Sequence, residues 1–555
     1  MTIIIDYKDG EIQLSFPYNP TYIDLIKNVC ENRRWNPEKR KWIVGLTDLQ
    51  NLLVPCLEKN KLPFEYTNIY HDSFIKKEPI KDFGLKYPLY PYQIEGANAL
   101  YNNDRFGLFH DCGLGKTIMC IALINKLWNQ NPSLQLPNKL VPGIECLIIC
   151  PSSLKKQWQE EITKFSDLTS IIIQGTKKKR QKLWEQTSEI KLINYEQLRF
   201  NNEPFEKNWD VIILDESSRI KNGMSQVAQK AKQLKGKKKI VATATPIENG
   251  VKDLFSIFEF LNPMIFGNWW KFKKEYLITE LKNFGGNTFE QIIGEKNVDN
   301  LKEIIQPYYI RREKQDVLLD LPNLIQENIY IELTTNEKRL YRYIKSLIKD
   351  KISKIKDGNM ELIGGELQLL RVICNGEVCL KKSNTKNLNI LAKQKDMINN
   401  SGKLQEINLL INQILSNPQE KIIVFSDYTI PLFELKNILN KKEIKCNLLY
   451  GGADKEKEIE EFKTTNSRVL LCQTKTGGYG LNLIEASNVI FVNEPWNPSV
   501  KNQAISRAHR NGQTKTVFVY NFITKNSIEE HVHEVLDKKQ EVSESIIIKN
   551  IFKYI

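Results

Sequence analysis

The sequence predicts an α/β protein of two lobes, each a parallel sheet covered by helices, with a helical insertion between them and a small α/β domain in front. Three observations predict it. Short apolar strands alternate with amphipathic helices in two separate series along the chain, the trace that parallel sheets with crossover helices leave in sequence. Segments of helical period such as "KRLYRYIKSLIKDKISKI" and "GELQLLRVICN" separate the two series. A strand that runs through a glycine-rich turn into an apolar helix stands at the head of the first series.

Taken in order, residues 1–66 read as the small domain, with "EIQLSFPY" and "RKWIVGL" as strands and "TYIDLIKNVC" as a helix. The polar stretch over 67–86 reads as a linker. Residues 87–320 form the first lobe, with strands at "FGLFH", "CLIICP", "IKLIN", "DVIILDE" and "KKIVATAT" and a helical protrusion from about 250. Residues 321–400 are assigned to the helical insertion. The second lobe, 401–540, has strands at "KIIVFSD", "KCNLLYG", "RVLLCQT", "NVIFVNE" and "TVFVYNFI", and 541–555 is a tail.

Composition narrows the function classes. The 555 residues contain 80 Lys and Arg against 66 Asp and Glu, a formal charge of +14. An excess of this size favours a polyanionic partner, although basic clusters at Lys177–Arg180 and Lys235–Lys239 also fit solvated faces. No apolar run approaches the length of a membrane span, and the N-terminus lacks a signal-peptide layout. A cytoplasmic location is therefore expected, with the lysine-, isoleucine- and asparagine-rich usage fitting an AT-rich bacterial, phage or mobile genome. The 10 cysteines form no C-x-x-C pair. They read as reduced thiols, several in strands at Cys146, Cys150 and Cys472, and argue against a zinc site.

"FGLFHDCGLGKT" carries the strongest chemistry. Gly113 and Gly115 let backbone N–H groups of the Asp111, Cys112 and Leu114 loop approach phosphates, and the helix that follows adds its positive end. Lys116 would reach the β and γ phosphates, and Thr117 would hold Mg²⁺. His110 stands where a strict loop pattern has its first glycine. "DVIILDESS" places Asp215 and Glu216 at the C-terminal edge of a strand, where open parallel sheets bind ligands. Asp215 is a candidate metal carboxylate, Glu216 a candidate base for the attacking water. Alone, such a pair is an ordinary solvated strand end; beside a phosphate loop it completes a phosphoryl-transfer site. Gln93 in "YPYQIEG" is a candidate adenine contact.

In the second lobe, Arg507 and Arg510 of "QAISRAHRNGQ" are three apart, so a helix would put both on one face. They are candidate arginine fingers; the bland reading is a solvated basic face. His509 between them reads as structural. Gly477, Gly478 and Gly480 mark a tight loop touching nucleotide or nucleic acid. Thr243, Thr245 and Gln503 are candidate coupling residues.

The motif order "PYQIEG", "DCGLGKT", "LIICPSSLKKQWQEE", "INYEQL", "ILDESSRIKN", "ATPIEN", "YYIRREKQDVLLDLP", "LLRVICN", "KIIVFSDY", "TGGYGLNL", "EPWNPS" and "QAISRAHRNGQ" resembles the Swi/Snf-type ATPases of helicase superfamily two, over roughly residues 87–540. The resemblance implies two RecA-like lobes, ATP and Mg²⁺ as cofactors, and a DNA-stimulated ATPase that translocates on duplex or branched DNA. It implies DNA contacts at Ser152, Lys155, Tyr195, Lys475 and Trp496, each with a packing or solvation alternative. Residues 1–66 resemble a HARP domain through "FPYNPTYIDLIKNV" and "RRWNPEKRKWIV", which implies forked DNA as substrate. A strand-separating DNA or RNA helicase and a nucleotide-gated scaffold with decayed hydrolysis are the alternatives. A monomer is the default. The chain departs from the family at His110, Asp111 and Cys112, where Asp-Glu-Met is usual, and at Ser218 and Ala244, where histidine and glycine are usual. None of these removes a phosphate or metal contact.

Overall fold

A computed structural model describes residues 2–8, 11–30, 33–44, 48–60, 62–67, 79–130, 143–247, 250–284, 287–317, 321–354, 364–382, 401–477 and 481–537. The chain divides into two compact units: Met1–Glu280 with Glu290–Val317, and Leu281–Phe289 with Leu318–Ile555. No helix among the described residues is long and apolar enough to cross a membrane.

The first unit begins with a five-stranded sheet of β1 (Ile3–Lys8), β2 (Glu11–Ser15), β3 (Arg33–Asn36), β4 (Lys41–Val44) and β5 (Phe64–Thr67), in the order β3-β4-β2-β1-β5. Alternation sends Ile3, Ile5, Ile12 and Leu14 to one face, where they pack on Tyr22 and Ile26 of the helix Pro20–Val29. Asn19 caps that helix by accepting from the N–H of Thr21 at 2.9 Å. β3 and β5 were not anticipated: each is four residues long. Met264, from the lobe that follows, joins this core. The small domain is therefore docked on its neighbour.

The first lobe is a seven-stranded sheet in the order β14-β6-β11-β10-β7-β9-β8. Its strands are β6 (Arg105–Leu108), β7 (Cys146–Cys150), β8 (Ser170–Ile172), β9 (Ile190–Asn194), β10 (Asn208–Asp215), β11 (Lys235–Ala242) and β14 (Tyr309–Ile310). The neighbours β6, β11, β10, β7 and β9 run parallel. Five strands fall where expected; β8 and β14 span 3 and 2 residues, too short to leave a periodic signal. Within the stretch read as a helical protrusion, β12 (Leu277–Phe284) and β13 (Asn287–Glu295) instead form a two-stranded sheet.

The cluster Lys235–Lys239 is only half solvated, with Lys235 and Lys237 exposed and Lys238 and Lys239 buried. It forms the first half of β11. The ammonium of Lys238 donates to the carbonyls of Tyr101 and Asn103 at 2.9 Å each, satisfying the C-terminal end of the helix Pro91–Asn102. Lys239 is buried 4.9 Å from the centre of the Phe260 ring. Burial, then the nearby Arg105 charge, pushes its pKa down to about 7. Lys177–Arg180, by contrast, opens a helix with no buried residue.

The second unit contains a six-stranded parallel sheet in the order β15-β20-β19-β16-β18-β17: β15 (Leu324–Ile331), β16 (Ile422–Ser426), β17 (Cys446–Leu449), β18 (Val469–Gln473), β19 (Asn488–Phe491) and β20 (Val517–Thr524). β16 sends Ile422 and Val424 to one core and Ile423 and Phe425 to the other, so the sheet is covered on both faces. The boundary at 401 needs correction. β15 pairs with β20 from Leu324↔Val517 to Ile331↔Thr524. Leu340, Ile344, Leu370 and Ile373, from the stretch read as an insertion, share the core of β16 and β18. β15 is an edge strand with mostly exposed side chains, so its sequence lacks the apolar alternation by which strands are recognised. The tail 541–555 lies outside the described residues.

Candidate functional site

The site is assembled at the C-terminal edge of the first lobe's sheet. β6 leads into the loop His110–Gly115, and β10 ends on Asp215 two places away, with β11 between them. Gly113 and Gly115 have φ of 86° and 79°, the left-handed region that glycine enters without penalty. A Cβ at Gly115 would come 2.5 Å from the Gln93 amide nitrogen. Gly115 is the residue before the helix Lys116–Asn129, so that helix presents its free N–H groups to the loop. The Lys116 ammonium folds across the loop and donates to the carbonyls of His110 and Asp111 at 2.8 and 3.1 Å. Thr117 is partly exposed in the first turn.

His110 is fully buried. Burial first, then the charges of Lys116 and Arg312, push its pKa down to about 3, so it is neutral. Asp111 is fixed on both sides: its N–H donates to Arg312 O at 3.1 Å, and its carboxylate accepts from Lys314 N at 3.2 Å. Arg312 also pairs through two nitrogens with Glu95. The "YYIRREK" segment thus buttresses the loop, a role its sequence did not disclose. Gln93 is buried. Its side chain accepts from Tyr90 N at 3.0 Å and approaches Leu114 O at 3.4 Å.

Asp215 is buried beneath this edge. Its Oδ2 accepts from Trp158 Nε1 at 2.8 Å, and its Oδ1 from Glu216 N at 3.0 Å. Burial, then the negative charge of Glu216, raises its pKa to about 7 against the opposing pull of Trp158 and Lys116. Glu216 sits at φ 53°, a conformation rare outside glycine that turns the chain sharply after the strand. Its carboxylate lies 3.5 Å from Thr243 Oγ1, which accepts from Thr245 N at 3.2 Å. The phosphate loop, the carboxylate pair and both threonines therefore share one sheet edge.

The expected DNA contacts separate. Ser152 is exposed. Tyr195 is buried, and its hydroxyl donates to Asp215 O at 2.8 Å. Its place is in the core because that hydroxyl has an internal acceptor. Lys155 is also buried, 3.4 Å from Asn194 Oδ1, and burial lowers its pKa. Trp158, one helical turn along from Lys155, was passed over; the Lys155/Trp158 spacing, which puts both on the inner helix face, was the available signal.

In the second unit, Arg507 and Arg510 are not on a helix. The helix Pro498–Ile505 ends before them, and both lie in a turn that Gln513 ties down. The Gln513 side chain donates to Ile484 O and Ala486 O at 3.0 Å each. Arg507 is buried and Arg510 partly exposed. His509 sits 2.8 Å from Pro322 O, in keeping with a structural role. Gln503 is buried. Trp496 packs against the core, with the Arg371 guanidinium 4.9 Å from its ring centre. Thr474–Gly477 form a helical turn; Gly478, Gly480 and the Lys475 side chain lie outside the described residues.

Comparisons with known proteins show the family of the chain. The chain matches the SNF2-related domain over residues 92–385 and the helicase conserved C-terminal domain over residues 404–512. It is 30% identical over 516 residues to an uncharacterized ATP-dependent helicase of Mycoplasma pneumoniae, covering 91% of this chain and 46% of that protein. It is 29% identical to the TATA-binding protein-associated factor MOT1 of Saccharomyces cerevisiae, covering 85% of this chain and 28% of that one. The chain thus spans less than half the length of these relatives. The SWI2/SNF2 ATPase core of Sulfolobus solfataricus, solved in complex with dsDNA, is 28% identical with a TM-score of 0.39, covering 85% of this chain and 95% of that one. The chain belongs to the SNF2-related family, its second lobe carrying the helicase conserved C-terminal domain.

Proposed function

We propose that this chain is an ATP-hydrolysing motor that moves on double-stranded DNA. The observation that carries the proposal is the shared sheet edge of the first lobe, where a glycine loop with Lys116 faces a buried Asp215 and Glu216. Phosphoryl transfer asks mainly for positioning and neutralised charge, and these residues supply both. Bound nucleotide would give the Lys116 ammonium phosphate oxygens in place of the two loop carbonyls. The helix Lys116–Asn129 would direct its N–H groups at the same phosphates.

The residues fit Mg²⁺ held together with nucleotide. Among the described residues no group of three or more His, Cys, Asp or Glu could hold a metal alone, and Mg²⁺ characteristically takes one or two carboxylates plus phosphates. Thr117 and Asp215 would hold it, and the ion would neutralise charge on the transferring phosphoryl group. Glu216 would orient the attacking water and take its proton, with Thr243 at its carboxylate. Arg507 and Arg510 would stabilise transition-state charge from the second lobe.

The match to ATP-dependent relatives and the net charge of +14 support DNA as the partner. Forked DNA is the finer proposal, with residues 1–66 acting as a HARP-like recognition domain. Its β3–β4 hairpin supports this: Arg33, Arg34, Lys39 and Arg40 are exposed around a Trp35 that is 48% exposed, its ring centre 5.5 Å from that of Trp42 and tilted 59° to it. Bases stack on such aromatic platforms.

The test is ATP turnover with duplex, forked and single-stranded DNA. Duplex should stimulate hydrolysis, and fork should stimulate more. Trp35→Ala with Arg34→Ala should erase the fork preference alone. Deleting residues 1–66 is a poorer test, because it would expose Met264. No stimulation by any DNA would refute the motor reading. Efficient strand displacement would replace it with a helicase.

A further inference from the structure

Two buried aromatic side chains converge on one residue of the site, and neither belongs to the phosphate loop or the carboxylate pair. Trp158 and Tyr195 are each 2% exposed. Trp158 Nε1 donates to Asp215 Oδ2 and the Tyr195 hydroxyl to Asp215 O, both at 2.8 Å. A buried indole N–H or phenol needs an acceptor, but nothing in packing requires that both choose the same residue. At Tyr195 a phenylalanine would fill the same space without a polar atom to satisfy.

We propose that Trp158 and Tyr195 are positioning residues for the reaction, fixing Asp215 through its side chain and its main chain and thereby setting the affinity of the site for the metal of the metal–nucleotide complex. This rests on the hydrolysis proposed above. The indole holds Oδ2 in one direction while Glu216 N holds Oδ1 at 3.0 Å, so the carboxylate has a single orientation. Each oxygen keeps a lone pair for the metal or its water. Tyr195 anchors the end of β10, where the chain enters the left-handed turn at Glu216. Groups in this relation to a metal ligand orient it, and their loss typically weakens metal affinity.

The two clamps reach Asp215 from different segments. Trp158 lies on the helix Lys155–Phe165 after β7, and Tyr195 opens the turn Tyr195–Arg199 after β9. The same segments show exposed residues: Ser152 at the start of the first, Arg199 and Phe200 at the end of the second.

The experiment uses the full chain with Trp158→Phe and Tyr195→Phe, each of which keeps an aromatic ring. Binding of a fluorescent ADP analogue is titrated with Mg²⁺, and again in EDTA. The half-saturating Mg²⁺ concentration should rise about tenfold for Trp158→Phe and less for Tyr195→Phe, with ADP affinity in EDTA unchanged. A half-saturation within about twofold of the parent in both variants, or an equal loss of affinity with and without Mg²⁺, would overturn the inference. If Trp158→Phe fails to fold, Tyr195→Phe decides, since it removes one oxygen only. A parent chain whose nucleotide binding ignores Mg²⁺ would remove the hydrolysis reading and this inference with it.

Discussion

The first lobe's sheet edge and its counterpart in the second unit handle buried charge in opposite ways. In the first lobe, Asp215 and Glu216 are adjacent acids, and burial with mutual repulsion raises the pKa of Asp215 to about 7. Trp158 and Tyr195 orient the residue but bring no charge to it. In the second unit, charges are matched internally. Lys403 pairs with Glu529 with both side chains buried, and Lys501 and His533 both reach Glu494, His533 at 2.7 Å. Arg371 donates to Glu494 O at 2.7 Å and lies 3.4 Å from Asp427. An edge that leaves its acids repelling gains most from a cationic ligand; an edge that neutralises itself is rigid. The first lobe's edge therefore suits a cationic ligand, whereas the second unit's edge is neutralised without one.

Four measurements would break or sharpen that contrast. Arg510→Ala should lower ATP turnover about a thousandfold or more, as for an arginine finger, with the melting temperature held. A rate loss that merely follows unfolding would make the turn structural. Glu529→Ala should destabilise the second unit by about 3–5 kcal/mol, because it leaves the Lys403 ammonium buried without its carboxylate. Urea denaturation followed by circular dichroism reads this, and a loss below 1 kcal/mol, the scale of a surface pair, would end the claim of a self-neutralised edge.

Asp215→Asn should abolish turnover and remove the pH dependence that Asp215 gives to the stability of the ligand-free first unit, while its amide nitrogen faces one of the two donors the carboxylate accepts. The sign follows from the raised pKa. Favourable protonation of the folded state is fully present below the ordinary carboxylate range and is lost as pH rises through about 7. The asparagine does not titrate, so thermal melts of the variant should stay flat where the parent declines. Lys239→Met should show itself as a lost pH slope in stability. Its folded pKa of about 7 lies below the ordinary 10.5, so the cost of burying the charge is complete below pH 7 and relieved as pH rises toward 10.5. The parent should gain up to about 1.4 kcal/mol per pH unit across that window, and the variant should lack that slope.

Legibility followed the same division. Gly113, Gly115, Lys116, Thr117, Asp215 and Glu216 were readable because strand, turn and helix are consecutive in the chain and each leaves its own residue types. Residues acting across the sheet were not. Trp158 reaches Asp215 from 57 positions away, and Arg312 reaches Glu95 from 217; nothing local marks such a contact. β15 lies in the stretch that reads as an insertion because an edge strand needs no apolar alternation. The Arg507–Arg510 pair was put on a helix by its spacing, whereas the helix had already ended at Ile505.

By itself the sequence determined the two parallel sheets, the glycine loop and the carboxylate pair on one sheet edge, and the family order of motifs, because periodicity and glycine placement are local properties of a chain. Tertiary structure alone decided which charges are buried and what faces them. It sent Lys239 under Phe260 and left Ser152 exposed, and it turned Tyr195 from a surface candidate into a support for Asp215. Desolvation depends on every element packed around a group, and no window of sequence contains that information.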